Sequence, residues 1–223
     1  MITNALLRPT WATSSLSVCG FSTRSFPGPP AVANTLQTHG TAVHVVERVG
    51  DVDPSPPDEG DGLWTSSPGL VIAVRVADCV PVLLWDPEAG AVAAVHAGWR
   101  GTVGHIVAAA LEAGEPLGVR PERLFAAIGP CISGKRFEVG PEVVAGLRGL
   151  GLEDADFGLH TGPRGRPHVD LRSANRVLLR RLGVQDDRIE DVGGCTFDQP
   201  ALFHSWRRDG EAAGRLRGLI GLA

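Results

Sequence analysis

The sequence predicts an α+β fold in which a mixed β-sheet is flanked by helices. Three observations carry this. Two apolar runs, over 70–77 and 80–97, are rich in β-branched residues and broken only by short turns. Three segments, over 102–113, 141–150 and 170–182, repeat apolar residues at helical spacing. The order of strands and helices is irregular, with hairpins among them, which argues against a plain βαβ alternation. At 223 residues the chain is most simply one domain over 1–223.

Taken in order, a short strand around Leu16-Ser17-Val18 ends at Gly20, and Gly20-Phe21-Ser22-Thr23-Arg24 reads as a turn able to bind an anion. Residues 25–33, with three prolines, form a loop. Gln37-Thr38-His39-Gly40 precedes a valine-rich strand over 42–49. Residues 51–62 are acidic and proline-containing and read as a surface flap. The run over 70–77 is a strand buried on both faces, interrupted by Arg75. A hairpin follows, turning at Asp86-Pro87-Glu88-Ala89-Gly90. The helix over 102–113 takes Thr102 as its N-cap, and the helix over 141–150 has proline at its first position. Strands are expected over 124–128, 188–192, 202–206 and 216–222.

Composition narrows the function. Hydrophobic residues at 43%, charged residues at 21% and a net charge of −4 describe an ordinary soluble globular chain. Nothing favours nucleic acid or an anionic membrane as a partner. No apolar run approaches the roughly 20 residues of a membrane span. The start of the chain lacks the pattern of a signal peptide. The four cysteines, Cys19, Cys79, Cys131 and Cys195, form no CxxC pair and read as reduced thiols of a cytoplasmic protein. No GxGxxG or Walker sequence is present.

The chemistry concentrates in 76–102. Cys79 stands at the mouth of one apolar strand, and His96 lies 17 residues later near the end of the next. Two readings fit this pair. Cys79 can be a thiolate nucleophile with His96 as its base and Asp78 orienting them. Alternatively, Cys79, His96 and a third histidine, with His39 the natural choice, bind zinc and leave one position open. The sequence alone leaves both standing. Arg100 sits where a helix N-terminus disfavours positive charge, so it points to an anionic group to be met, and Arg24 can help to hold it. His204 also ends a strand-like run, and Cys19, Cys131 and Cys195 read as packing residues.

These residues form a recognisable series. GFSTR at 20–24, QTHG at 37–40, ADCVPV at 77–82, AVHAGWRGT at 94–102 and IGPCI at 128–132 stand in one order. FEVG at 137–140, Asp170-Leu171 with Asn175, Cys195-Thr196 and FHSWRRDG at 203–210 continue it. The chain resembles the YfiH/YlmD family, also called the multicopper polyphenol oxidase or laccase-domain family, over about residues 16–222. The resemblance implies a single-domain layered sandwich of mixed β-sheets flanked by helices, and a zinc site whose ligands correspond to His39, Cys79 and His96, with copper as the other metal considered. Its implied activities are phosphorolysis of purine nucleosides (adenosine, inosine and methylthioadenosine) and deamination of adenosine. Peptidoglycan-precursor hydrolysis, polyphenol oxidation and a non-enzymatic zinc-binding role are the alternatives. Three ligands including a thiolate suit zinc better than a multicopper centre, which needs more histidines. In this reading Arg100, Arg24 and Ser22 bind substrate, Asp78 and Arg100 serve catalysis, and the partners are nucleosides and phosphate, with the chain a monomer or homodimer. Family members usually have histidine where this chain has Cys19, and a longer segment between Arg24 and Gln37.

Overall fold

Alternate residues of the central strands face two different layers, and this explains why those strands are apolar on both faces along most of their length. The structure, a computed structural model, describes residues 6–26, 32–48 and 58–223. Parts of the expected loop over 25–33, of the strand over 42–49 and of the flap over 51–62 lie outside these residues.

A four-stranded antiparallel sheet runs in the order β1 (Leu6–Leu7), β2 (Leu16–Ser22), β12 (Leu216–Leu222) and β5 (Val71–Val76). A mixed six-stranded sheet runs in the order β11 (Ile189–Asp191), β8 (Phe125–Ile128), β6 (Val80–Asp86), β7 (Ala91–Ala97), β4 (Gly62–Thr65) and β3 (Val43–Val45). A minor hairpin joins β9 (His160–Thr161) to β10 (Pro167–His168). The helices are α1 (Trp99–Val103), α2 (Ile106–Gly114), α3 (Pro141–Gly149), α4 (Leu171–Arg181) and the short α5 (Trp206–Asp209). The expected fold class stands: mixed sheets flanked by helices.

Val82, Leu84, Ala93 and Val95 face the helices, where they pack with Ile106, Val107, Val143, Leu147 and Leu179. Their neighbours Leu83, Trp85, Val92 and Ala94 face the four-stranded sheet, where they meet Phe21, Ile72, Val74 and Ile220. Every residue of β6 and of β7 is buried. A strand covered on both faces has no polar face to show, so its two-residue period disappears from the sequence.

Four local expectations change. The helix expected over 102–113 is two helices, divided at Gly104-His105, where His105 has a left-handed φ of 66°. Thr102 is not a cap: it is buried in α1, and its hydroxyl accepts from Asn175 Nδ2 at 3.0 Å. Residues 202–206 are no strand but lead into α5, capped by Ser205. The supposed flap ends in β4, wholly buried, with Trp64 donating from its indole to the Ala110 carbonyl at 2.6 Å. Propensity and polarity within these short segments are outweighed by tertiary packing.

The two layers meet closely at the end of β8. A Cβ at Gly129 would run into the ring of Phe21, itself 1% exposed. Gly129→Ala is therefore expected to lower unfolding free energy by about 1–3 kcal/mol through overpacking. Denaturant unfolding checks this, with wild-type stability as the contradicting result.

Candidate functional site

Three chain segments that lie far apart in sequence bring His39, Cys79 and His96 together. His96 sits on β7 opposite Pro81 of β6, and Cys79 occupies the turn that enters β6. His39 comes from the loop before β3, in a left-handed conformation at φ 61°. Asp78, immediately before Cys79, is also left-handed at φ 87°. Such conformations cost a non-glycine residue of order 1–3 kcal/mol and persist only where surroundings impose them. Here the His39 amide is held by Asp61, and the Asp78 carboxylate by Thr196 and the Arg207 amide.

The potential ligand atoms of the three residues all lie within 4.8 Å of one another. Cys79 Sγ is 3.8 Å from His39 Nε2, and the two imidazole rings stand edge to face with centroids 4.9 Å apart. Gly98 closes the cradle. A Cβ there would lie 2.9 Å from His39 Cδ2 and 3.1 Å from Cys79 Sγ, so a side chain would intrude on the cluster.

Asp61 organises this arrangement. Its carboxylate is buried and accepts from His96 Nδ1 at 2.6 Å, from the His39 amide at 3.1 Å and from the Gly40 amide at 2.8 Å. The Thr38 amide adds a bond at 3.1 Å. With Nδ1 held by a carboxylate, the His96 ring presents Nε2, the pattern that orients metal-ligating histidines. Asp61 lies in the acidic segment read from sequence as a flap, so sequence reasoning missed it.

Charge follows geometry. Burial pushes the Cys79 thiol up, but hydrogen bonds from His39 and His96, with their charge, outweigh it and bring the pKa down to about 6. Burial disfavours a charged His96, yet its bonds to Asp61 and Cys79 raise its pKa to about 9. Burial alone would raise Asp61, but the bond from His96 and the backbone amides hold it below the usual carboxylate range. By contrast, burial pushes Cys19 and Cys131 up to about 12. A depressed thiol among imidazoles suits a metal or a nucleophile, and three donors of this kind fit a zinc-type site with one position left for a small ligand.

The cluster opens into a cavity of about 660 Å³. Arg75, Arg100, Arg207 and Arg215 all line it, and none of the four forms an ion pair with a carboxylate among the described residues. Gln37 also lines it and fixes the Arg75 backbone, donating to its carbonyl at 2.8 Å and accepting from its amide at 2.7 Å. Gln37 and Arg207 stand in motifs quoted from the sequence and Arg75 in a strand, but none of them, nor Arg215, was read there as a site residue.

The structure brings Asp78 and Arg100 to the cavity wall. Both Asp78 oxygens are engaged, one by the Thr196 hydroxyl at 2.5 Å and one by the Arg207 amide at 2.6 Å. Arg100 extends over the Trp99 ring, 4.5 Å from its centroid. Ser22 and Arg24 are placed elsewhere: neither lines the cavity. The Ser22 hydroxyl accepts from the Arg217 amide at 2.8 Å, because β2 continues through Ser22 instead of turning, and Arg24 donates to the Pro200 carbonyl at 2.8 Å. His204 packs against Gly214 and likewise stays out of the cavity.

The family model described as multi-copper polyphenol oxidoreductase laccase matches residues 23–223. The chain belongs to this family, the YfiH/YlmD family. A member from Deinococcus radiodurans, named purine nucleoside phosphorylase, is 47% identical over 164 residues, covering 74% of this chain and 62% of its own length. The chain thus spans less than two thirds of that relative. A protein named adenosine deaminase RL5, from an unknown prokaryotic organism, is 41% identical and is covered over 70% of its length, against 80% of this chain. Among solved structures, YlmD from Geobacillus stearothermophilus superposes with a TM-score of 0.86 at 27% identity, covering 100% of this chain and 97% of that one. Bacillus licheniformis YfiH gives a TM-score of 0.79 at 34% identity, with 86% and 74% covered. No described helix is long and apolar enough to cross a membrane.

The cluster's protonation predicts a pH dependence for metal uptake. Coordination through His96 Nε2 needs the neutral ring, so a proton competes for His96 up to about pH 9, whereas Cys79 is already a thiolate above about pH 6. If one proton is displaced, apparent affinity for added zinc is expected to rise roughly tenfold per unit between about pH 6 and 9, then level off. Chelator competition against the metal-free protein measures it, and an affinity independent of pH across that window contradicts it.

Proposed function

We propose that this protein is a zinc-dependent purine nucleoside phosphorylase, acting on adenosine, inosine and methylthioadenosine, with adenosine deaminase activity. One observation carries the reading: a His39–Cys79–His96 cluster at a cavity lined by four arginines that no described carboxylate pairs with. The names of the relatives support the same reaction class. They also support nucleoside and phosphate as partners.

His39, Cys79 and His96 would hold a zinc ion, which would supply Lewis acidity there. The chain's own residues do the rest. Arg100 offers a planar, permanently charged fork suited to a phosphate, and Arg75, Arg207 and Arg215 add positive field around it. In phosphorolysis the bond from ribose C1′ to the purine nitrogen breaks and a C1′–O bond to phosphate forms, so holding the anion against C1′ is the main task. In deamination, water adds at purine C6 and ammonia leaves. Asp78 is the positioning residue of this scheme: it ties the Cys79 turn to Thr196 and to α5, with both oxygens spent on that.

A second reading has its own observation. Asp61, His96 and Cys79 form a carboxylate–imidazole–thiolate series, which also describes a cysteine hydrolase that works without metal. A screen of nucleosides with and without phosphate separates the two, reading free base, inosine and ribose 1-phosphate. The proposal expects phosphate-dependent release of base, abolished by chelation and restored by zinc. Arg100→Ala is expected to weaken phosphate use about 10- to 100-fold, the value of a charge-assisted hydrogen bond. Activity indifferent to chelators would favour the metal-free thiolate instead.

A further inference from the structure

Trp206 is the most exposed large apolar side chain among the described residues, at 49%, and it lines the cavity. It joins none of the hydrophobic clusters that build the core, whereas Trp99, the other tryptophan of the cavity, is half-buried against one of them. An indole left half in water contributes less to folding than a buried one, yet the chain on both sides of it is firmly fastened. Ser205 is fully buried and caps α5 by accepting from the Arg208 amide at 3.2 Å. The Arg207 amide is held by Asp78, and the Arg208 guanidinium donates to the carbonyls of Thr196, Phe197 and Phe203.

The ring itself has a cationic backing. The Arg215 guanidinium lies over it, 5.4 Å from the centroid, and is tethered by donating to the carbonyls of Ala213 at 2.9 Å and Gly214 at 3.2 Å. A cation over an indole orders the ring and leaves its other face for a flat partner. We propose that Trp206, backed by Arg215, is the platform on which the purine base of the substrate stacks. This rests on the nucleoside reading given above and adds to it the residue that selects an aromatic base. Stacking reads a π-face and not a hydrogen-bond pattern, so the platform accepts the adenine of adenosine and methylthioadenosine and the hypoxanthine of inosine alike.

Calorimetric binding of adenosine, and separately of inorganic phosphate, to the zinc-loaded full chain tests it, with Trp206→Ala, Trp206→Phe and wild type compared after thermal melts. Trp206→Ala is expected to weaken adenosine binding about 10- to 100-fold, the range typical of a lost base stack. It should leave phosphate affinity unchanged, while Trp206→Phe keeps most of the adenosine affinity. Wild-type adenosine affinity in Trp206→Ala overturns the platform and leaves the nucleoside reading intact. An equal loss for adenosine and phosphate also overturns it, because the residue would then act on the whole site. If wild type itself binds no adenosine, the functional reading fails and the platform with it.

Discussion

Asp61 accepts hydrogen bonds from His96 Nδ1 and from three consecutive backbone amides, those of Thr38, His39 and Gly40. One carboxylate therefore fixes the ring of one proposed ligand and the backbone of another. It also supports the left-handed conformation of His39, which has no glycine to relieve it. Without the carboxylate, the buried Nδ1–H of His96 would lose its acceptor, at a cost of roughly 1–3 kcal/mol, and the amides of Thr38, His39 and Gly40 would lose theirs. The His39 turn would then be left with its flanking bonds, those of Gln37 to Arg75 and of Ala42 to the Asp61 amide. Cys79 depends on the same residue at one remove, since the hydrogen bonds that lower its pKa come from His39, whose backbone Asp61 holds, and from His96, whose ring it holds.

The layered fold makes this carboxylate effective. Asp61 immediately precedes β4, which is buried between its neighbours, and its backbone carbonyl accepts from the His96 amide at 2.7 Å. The acid is thus registered to β7 by the main chain as well as by its side chain. On the far side of the cluster, Asp78 performs a similar service for Cys79, joining the Cys79 turn to Thr196 and α5. Two buried aspartates, each with every oxygen engaged, hold the three ligand candidates between them.

Much of this was legible in the sequence. The hairpin that carries Cys79 and His96 is marked by two apolar runs around a turn, and the helices over 141–150 and 170–182 by their spacing and proline or aspartate starts. His39, Cys79 and His96 stood out because thiol and imidazole are chemically distinctive. Asp61 did not, because an acidic residue within an acidic, proline-rich stretch has the appearance of solvent-facing polarity until β4 is seen to bury it. The cavity arginines were hidden for a different reason. Arginine supplies all but one of the 21 basic residues, so its presence carries no local signal, and Arg75, Arg207 and Arg215 converge only through β5, α5 and the approach to β12. Ser22 and Arg24 were misleading because a glycine before two hydroxyls suggests one anion-binding turn, whereas β2 runs on through Ser22 and the turn that follows sends Arg24 to the Pro200 carbonyl.

Asp61 is expected to hold the proposed metal site in shape, and zinc affinity of Asp61→Asn against wild type tests that most directly. The amide keeps the size of the carboxylate, but it loses the charge that faces His96, and its NH2 group confronts backbone amides that need an acceptor. Titration of each metal-free protein against a competing chelator is expected to show zinc bound about 10- to 100-fold more weakly by Asp61→Asn, as for other partners that orient ligand histidines. Equal zinc affinity in the two folded proteins would contradict the account.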